Sequence, residues 1–237
     1  MQNENEQNRK MDIMVISPHP DDSEFGVAGS VARWVKEGKK IAYVICTNGD
    51  KGTSDPNVKP EALTKTRMKE QEAAAKLLGV REVVFLGYED QTLEDTPGFR
   101  KDIVRWIRTF KPDMLVTADP YRRYIWHRDH RITGQVVLDA AFPYARDHLS
   151  YPELLEEGLQ PHKVKEILLW ASEEPNYYSN ISTTFETKLA ALRCHESQVG
   201  GHHFPAIEQW LRQRAEDAAA DQDYELAEAF HLVEIPW

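Results

Sequence analysis

The chain has 237 residues, 41% of them hydrophobic and 29% charged, and its formal net charge is -10. This length and composition predict a soluble globular protein with a core of ample size. The negative charge disfavours nucleic acid or an anionic membrane as the main partner, because both attract clustered lysine and arginine. No apolar run approaches the roughly 20 residues that a membrane span needs, so we expect no membrane association.

The N-terminus and the cysteines indicate the compartment. The first ten residues are polar and lack an apolar core, so they are not a secretory signal, and we expect a disordered tail over 1–10. Cys46 and Cys194 are too few and too far apart for a disulfide framework or a cysteine zinc site. We therefore expect a cytoplasmic protein. From the length of the chain we also expect residues 11–237 to form a single domain.

Strand-like and helix-like segments alternate along the chain, the former as short apolar runs and the latter with apolar residues at helical spacing. Strands are predicted over 11–17, 40–47, 82–87, 113–120 and 165–170. Helices are predicted over 26–38, 61–79, 98–110, 131–142, 185–198 and 207–220. This alternation predicts an α/β fold, a three-layer sandwich around a mostly parallel, Rossmann-like sheet.

The loops after the first and fourth predicted strands concentrate carboxylates and histidines. In an open parallel sheet the ligand site lies at the carboxyl ends of the strands, so these two loops, PHPDDSE and ADPYRRYIWHRDHR, are where we expect the chemistry. Their nitrogen and oxygen donors suit a borderline cation such as zinc, and a cation would also offset the repulsion between adjacent aspartates. The candidates are His19, Asp21, Asp22, His127, Asp129 and His130.

Each motif also has an ordinary structural explanation. An Asp-Asp pair before a helix is frequently an N-cap, placed favourably in the helix dipole, and a surface histidine pair is usually solvated. Either explanation is preferable for one motif alone. Their joint placement after neighbouring strands favours a metal site.

These residues also carry a resemblance to a known family. PHPDDSEFGVAG, over 18–29, together with HRDH, over 127–130, resembles the PIG-L / LmbE-like deacetylases, which are zinc-dependent N-deacetylases of N-acetylglucosaminyl conjugates and related molecules. TNGDKGT, TRMKEQEAAAKLLGV, KLAALRCHESQ and AEAFHL are similar to further segments of that family. The resemblance covers most of the chain.

The resemblance implies a metal site and a base. His19, Asp22 and His130 would bind one Zn²⁺ per chain, with another divalent ion as the alternative. Asp21, between the first two ligands, would be the general base that takes a proton from the attacking water. An amide is a poor electrophile and water is a poor nucleophile. The reaction therefore needs both a metal that polarises the carbonyl and a base that activates the water.

The resemblance also implies roles for residues around the metal. His127 would be the acid or the oxyanion stabiliser, and Asp129 would orient a histidine. Arg67, Asn48 and Trp126 are candidates for binding substrate. Their alternatives are a surface arginine paired with a nearby glutamate, a residue of a turn, and an aromatic packed in the core or at the rim.

Two positions depart from the family pattern. Arg128 replaces the proline of the common His-Pro-Asp-His motif, and Ile125 stands where some members have a tyrosine that helps to stabilise the oxyanion. The role of Arg128 and the auxiliary tyrosine role therefore stay open. We expect the region over 148–204 to build the far wall of the pocket.

Three functions remain for the structure to separate. The leading one is a zinc-dependent hydrolase that removes an acetyl or similar acyl group from the amide nitrogen of an N-acetylglucosamine-type conjugate or related small molecule. The second is a non-catalytic module of the same fold that binds metal and sugar. The third is a metal-dependent phosphoesterase, which would usually need two metals and bridging carboxylates. The expected partner is a small N-acetylated molecule, and a homo-oligomer is an open alternative to a monomer.

Overall fold

The computed structural model of the protein describes residues 9–236. The tail expected over 1–10 therefore lies outside the described residues, except for its last two positions. Of these, Arg9 pairs with Glu82, with 2.9 Å between Nη2 and Oε1. Within 9–236, no helix combines the length and the apolar character that crossing a bilayer requires.

Strands and helices alternate through most of the chain, as the apolar patterns predict. The strands are Ile13–Ser17 (β1), Ile41–Thr47 (β2), Glu82–Tyr88 (β3), Met114–Ala118 (β4), Glu166–Trp170 (β5), Tyr177–Asn180 (β6) and Ala227–Glu234 (β7). The α-helices are Asp22–Gly26 (α1), Ala28–Lys36 (α2), Pro60–Leu78 (α3), Pro97–Phe110 (α4), Arg128–Asp139 (α5), Pro152–Glu156 (α6), Phe185–Arg193 (α7), Glu196–Val199 (α8) and Phe204–Ala219 (α9). A π-helical turn, Ala140–Tyr144, follows α5, and a 3-10 turn, Gly201–His203, precedes α9.

The strands form one seven-stranded sheet in the order β3-β2-β1-β4-β5-β7-β6. The first five strands are mutually parallel, and β7 runs antiparallel to both β5 and β6. The predicted α/β fold with a mostly parallel sheet is confirmed. The order reverses beside β1, which pairs with β2 on one side and β4 on the other, and such a reversal opens a crevice at the carboxyl ends of the two central strands.

Both faces of the central strands are buried, which explains their continuous apolar runs. Along β1, Met14 and Ile16 enter one core with α4 and α5, whereas Ile13 and Val15 enter a second core with α2 and α3. The sheet is therefore the middle layer of three. Each fully buried side chain of this size contributes roughly 1.5–3 kcal/mol relative to an exposed one, so both cores fix the position of the strand that leads to His19.

Helix α5 approaches the end of β4 very closely at Gly134. A Cβ added there would lie 2.3 Å from the Ala118 carbonyl oxygen, a distance that no side chain can occupy. The glycine therefore allows α5 to dock directly onto the last residue of β4. This contact fixes the start of α5, where the HRDH motif lies, relative to the sheet.

The structure departs from the predicted elements at several places, among them α1, which has no predicted counterpart. The helix expected over 131–142 begins at Arg128, and the one expected over 185–198 breaks into α7 and α8 at His195, whose φ of -87° and ψ of 56° are not helical. Strands β6 and β7 have no counterpart in the prediction. The four residues of β6 are too short for an apolar run, and β7 carries the polar Glu228 and His231 among its apolar residues.

Candidate metal centre and catalytic site

The motifs PHPDD and HRDH meet at the crevice between β1 and β4. The first leaves β1 and enters α1, and the second starts α5 after the loop that leaves β4. Asp21 occupies the N-cap position of α1 with a φ of 96° and no capping hydrogen bond from its side chain. A non-glycine residue in this left-handed region costs on the order of 1–3 kcal/mol. The simple N-cap explanation therefore fails for Asp21, and its carboxylate is directed elsewhere.

Asp22 lies between two imidazoles. Its Oδ2 lies 3.0 Å from His19 Nδ1, and its Oδ1 lies 3.1 Å from His130 Nε2. The side chains of His19, Asp22 and His130 are 9%, 13% and 14% exposed, respectively. The structure thus brings together the three predicted ligands around one carboxylate. Burial raises the pKa of Asp22, but the charges and hydrogen bonds of His130 and His19 lower it well below its usual range.

The far side of the His19 ring contacts two carboxylates. His19 Nε2 lies 3.1 Å from Asp129 Oδ2 and 3.0 Å from Asp90 Oδ1. Burial lowers the pKa of His19, but the hydrogen bonds to Asp129, Asp22 and Asp90 outweigh it and raise the pKa to about 12. A carboxylate on the outer nitrogen of a histidine fixes its ring and increases its basicity as a metal ligand. Asp129 therefore lies where an orienting residue is expected.

Asp129 is itself held firmly. Its Oδ2 accepts a hydrogen bond from the Gln91 backbone at 2.6 Å, and its Oδ1 accepts one from the Leu93 backbone at 3.2 Å. Burial raises the pKa of Asp129, but His19 and Gln91 lower it below its usual value. The side chain is fully buried and ionised, so the ring of His19 has little freedom to turn.

Asp21 faces a buried arginine. Its Oδ2 lies 3.1 Å from Arg67 Nη2, and Arg67 is 4% exposed and also donates to the backbone oxygens of Gly49, at 2.9 Å, and Pro20. Arg67 is therefore not a surface arginine, and it holds Asp21 from behind rather than lining the adjacent cavity. Burial raises the pKa of Asp21 and the Arg67 charge lowers it, with a net rise to about 7.

His127 caps α5 through one ring nitrogen, and the residue is exposed. Its Nδ1 accepts a hydrogen bond from the Asp129 backbone N–H at 3.1 Å, so in the neutral ring the proton resides on Nε2. The ring centroid lies 4.7 Å from that of His19. Burial, together with the charges of His19 and His130, lowers the pKa of His127. The residue is an exposed hydrogen-bond donor next to the three converging ligands.

A cavity of about 350 Å³ adjoins this centre. Asp22, His130 and Trp126 line one side of it, and the Trp126 ring packs edge-on against His130 at 4.6 Å while its Nε1 donates to the Asp119 carbonyl at 2.8 Å. The opposite wall includes part of the 148–204 region, such as Trp170, and extends beyond it to α9 and β7. Asn48 does not line this cavity, and its side-chain amide donates to Gly87 at 3.2 Å.

Sequence reasoning missed three buried polar residues at this edge, Asp90, Glu24 and Gln71, and treated a fourth, His195, as a helix-end histidine near the pocket whose usual role is a partner of the helix dipole. Asp90 lies in the polar loop that follows β3 and contacts His19 as described above. Glu24, Gln71 and His195 form a fully buried chain in which His195 Nε2 lies 3.0 Å from Glu24 and Gln71 donates to Glu24 at 3.1 Å. Gln71 also accepts from the Asp21 backbone N–H at 3.0 Å. The later motifs TRMKEQE and CHESQ contain two of these residues, and this was the available signal.

The nitrogen and oxygen donors fit a divalent cation. Asp22 meets two imidazole nitrogens within hydrogen-bond distance, and one of these rings is supported from behind by ionised carboxylates. Ring nitrogens of His19, His127 and His130 lie within 4.8 Å of one another, and so do donors of His19, Asp90, His127 and Asp129. The centre therefore offers enough convergent donors to bind a metal without any thiolate.

Comparison with known proteins identifies the family. Residues 14–141 match the family model described as PIG-L: GlcNAc-PI de-N-acetylase. The diacetylchitobiose deacetylase of Thermococcus kodakarensis is 32% identical over 200 residues, which cover 84% of this chain and 74% of that protein. A Bacillus subtilis protein named "Probable N-acetyl-alpha-D-glucosaminyl L-malate deacetylase 2" is 30% identical, covering 81% of this chain and 85% of its own length.

A solved structure agrees with these sequence matches. The N,N'-diacetylchitobiose deacetylase of Pyrococcus horikoshii superimposes with a TM-score of 0.89 and 31% identity, covering 94% of this chain and 83% of that one. The match therefore extends over most of this chain, well beyond the residues that the family model covers. The chain therefore belongs to the PIG-L family of de-N-acetylases.

Proposed function

We propose that this protein is a metal-dependent hydrolase that removes an acetyl or similar acyl group from the amide nitrogen of a small N-acetylglucosamine-type conjugate. The observation that carries the proposal is Asp21, a carboxylate adjacent to the three convergent ligands and held from behind by Arg67. A site that only binds metal and sugar has no use for a strained, partly buried aspartate at that point. The deacetylase names of the relatives support the same reaction.

His19, Asp22 and His130 would hold the metal, and zinc is the ion that two imidazoles and one carboxylate suit best. When bound, Zn²⁺ polarises a carbonyl oxygen and lowers the pKa of water to about 7. The histidines act as ligands only if the nitrogens that face Asp22 are free of protons. Asp129 and Asp90 support this state at His19, because they accept the proton on the opposite nitrogen.

Asp21 would be the general base. In amide hydrolysis a water oxygen bonds to the carbonyl carbon, the water gives up a proton, and the carbon–nitrogen bond then breaks to leave acetate and an amine. Asp21 takes the first proton, which requires its carboxylate to be ionised and within hydrogen-bond reach of the water. Arg67 fixes the carboxylate through its contact with Oδ2, and the Gln71 side chain fixes the backbone beside it.

His127 would stabilise the developing oxyanion. The acid role also expected for it would need an imidazolium, which the backbone N–H at Nδ1 opposes, so the leaving amine would take its proton from Asp21, which has gained one from water. Its Nδ1 is engaged by the Asp129 backbone, so Nε2–H is the group available to an oxygen or nitrogen of the substrate. A donor aimed at the developing charge typically contributes 10²–10³-fold in rate. This role needs no tyrosine at position 125. Ile125 is 91% exposed, and its hydrocarbon side chain has no hydrogen-bond donor for an oxyanion.

Trp126 would contact the sugar. It lines the cavity beside His130, and one face of its ring is covered by Arg122, so a sugar would pack against the part of the ring that stays open to the cavity. We further propose a cytoplasmic location, which the two free cysteines support because a reducing compartment leaves thiols unpaired. Homo-oligomer formation stays a prediction of the family resemblance.

The test is release of free amine from a panel of N-acetylated sugars by zinc-loaded and chelator-treated protein. We expect amine release from at least one N-acetylglucosamine conjugate, loss after chelation and recovery on adding Zn²⁺. Metal binding without amine release across the panel would support the binding-module alternative. Phosphate release from sugar phosphates, with no amine release, would support the phosphoesterase alternative.

A further inference from the structure

The cavity beside the metal centre has two unequal sides. The side formed by Asp22 and His130 belongs to the reaction centre described above. The other side carries two arginines, Arg122 from the loop after β4 and Arg214 from α9. These two residues come from distant parts of the sequence and belong to none of the family motifs that the chain displays.

The other two charged residues of this wall, Lys188 and Glu228, form an ion pair with each other. Lys188 Nζ lies 2.5 Å from Glu228 Oε1, and both side chains are almost fully buried at 4% and 6% exposure. Glu228 also accepts hydrogen bonds from the backbones of Gly29, at 3.0 Å, and Ser30, at 2.8 Å. This ion pair is therefore internally satisfied. With Asp22 serving as a metal ligand, the two arginines remain as uncompensated positive charge on the cavity wall.

Neither arginine has a carboxylate partner within the part of the chain that the structure describes. Arg122 stacks over Trp126 with its guanidinium carbon 4.7 Å from the ring centroid, and Arg214 lies 5.1 Å over Trp210. The adjacent Arg123 differs, because it contacts Glu173 at 3.7 Å and Glu174 at 3.3 Å. The two stacked guanidiniums keep their hydrogen-bond donors available, since stacking occupies the faces of the group and leaves its edge free.

The two arginines also repel each other electrostatically. Partial burial and the charge of Arg122 lower the pKa of Arg214, and only Asp217, one turn further along α9, opposes this. Asp217 itself accepts a hydrogen bond from Gln213 at 2.9 Å. Two guanidiniums placed together in a protein of net charge -10 repel each other unless an anion lies between them.

We propose that Arg122 and Arg214 bind an oxyanion on the group attached to the N-acetylglucosamine, so that the preferred substrate carries a carboxylate or phosphate. The inference rests on the proposed function and adds the charge of the substrate. Arginine matches both anions because its planar edge presents paired donors to two oxygens. Among the compounds named for the relatives, an L-malate conjugate carries carboxylates and diacetylchitobiose is uncharged.

The experiment compares three N-acetylated substrates on the zinc-loaded protein. They are N-acetylglucosaminyl L-malate, N-acetylglucosamine 1-phosphate and the neutral diacetylchitobiose. The test variant is R122Q/R214Q, and R122K/R214K retains the charge without the paired donors. The matched control is R123Q/R212Q, because Arg123 and Arg212 neighbour the two test residues but already have carboxylate partners in Glu174 and Glu186.

We expect an acidic substrate to have the lowest KM in the natural protein. R122Q/R214Q should raise that KM by at least about tenfold, which corresponds to about 1.4 kcal/mol, with kcat and zinc content unchanged. The lysine variant should fall between, the control should match the natural protein, and the KM of diacetylchitobiose should not rise. The carboxylate and phosphate arms show which oxyanion is preferred.

An equal KM for the neutral and acidic substrates, or an equal effect of R122Q/R214Q on both, would overturn the inference while leaving the deacetylase assignment intact. Absence of amine release from all three would count against the proposed function instead. In that event calorimetric binding of N-acetylglucosaminyl L-malate to the zinc-loaded protein decides the inference. Weaker binding by R122Q/R214Q alone supports it, and unchanged binding contradicts it.

Discussion

The metal centre at the ends of β1 and β4 and the cavity wall formed by the loop after β4, α9 and β7 hold their side chains in different ways. In the metal centre, His19 and Asp129 are buried and their polar atoms contact fixed partners. On the wall, Arg122 and Arg214 stack on aromatic rings and have no described carboxylate partner. Fixed groups suit the bond-breaking step, which depends on geometry, and available donors suit recognition of a variable substituent. Changes in the metal centre should therefore affect metal binding and kcat, and changes on the wall should affect KM.

The largest effect is expected from Asp22→Ala. It removes the carboxylate that faces both His19 and His130, so the two imidazoles lose the anion that brings them together. We expect the zinc content to fall from one ion per chain to near zero and amine release to fall to background. Metal analysis after dialysis measures this directly. Asp55→Ala, in an exposed loop, is the control and should retain zinc. Full zinc content in Asp22→Ala would place the metal elsewhere.

Asp21→Asn should separate binding from catalysis. The amide keeps the size of the side chain but cannot accept the proton from water, and general-base catalysis typically contributes 10²–10⁴-fold. We expect kcat to fall by about that factor while zinc content stays at one ion per chain. Parallel measurement of amine release and bound metal checks both. If Asp21→Asn retained natural activity with zinc bound, another residue would be the base.

Asp90→Asn should weaken the metal without abolishing it. Asp90 contacts the ring of His19 on the side away from Asp22, and changes to such supporting residues typically cost 10–100-fold in metal affinity or activity. We expect the zinc dissociation constant to rise within about that range, measured by competition with a chromophoric chelator. Asp55→Asn, in an exposed loop without a contact to Asp90 or His19 among the described residues, is the control. An unchanged zinc affinity would show that Asp129 alone supports His19.

The smallest effect is expected at His195, away from the metal. Burial lowers the pKa of His195, but the hydrogen bond to Glu24 outweighs it and raises the pKa above its usual value. The folded state therefore binds this proton more tightly than the unfolded state. Its stabilising contribution is fully present below about pH 6.5 and is lost as the pH rises through the folded-state pKa.

His195→Gln should accordingly lower the free energy of unfolding by about 1.5–3 kcal/mol at pH 6 and by less at pH 9. Urea unfolding of the natural protein and the variant at the two pH values measures the difference, with His202→Gln on the exposed 3-10 turn as the control. A larger loss at pH 9 than at pH 6 would reverse the assigned sign and contradict a charged His195 in the folded protein.

The same division explains how much the sequence predicts. The parallel strands, the helices between them and the meeting of PHPDD with HRDH follow from periodicity and from the topology of open sheets. Asp90 could not be assigned in this way, because its loop follows β3 and nothing in its spacing indicates a contact with His19. The burial of Arg67 is equally hidden, since an arginine on a mostly polar helix has the pattern of a surface residue.

The wall is harder to predict for a different reason. Strands β6 and β7 are antiparallel additions at one side of the sheet, and their short or mixed sequences give no periodicity that distinguishes them from loops. Arg122 is followed by Arg123, and the sequence does not reveal that only the second has carboxylate partners. The residues proposed to recognise the substituent are therefore much harder to identify from the sequence than the residues of the metal centre.

Anomalous scattering at the zinc edge from crystals of the zinc-loaded protein tests the central claim most directly. We predict one peak per chain, about 2.0–2.2 Å from His19 Nδ1, one carboxylate oxygen of Asp22 and His130 Nε2. A competing donor set combines His19 with Asp90, His127 and Asp129, and the two aspartates of that set lie beside His19 Nε2. A peak on that side of the ring would contradict the account, because Asp129 would then be a ligand and Asp21 would no longer lie beside the metal.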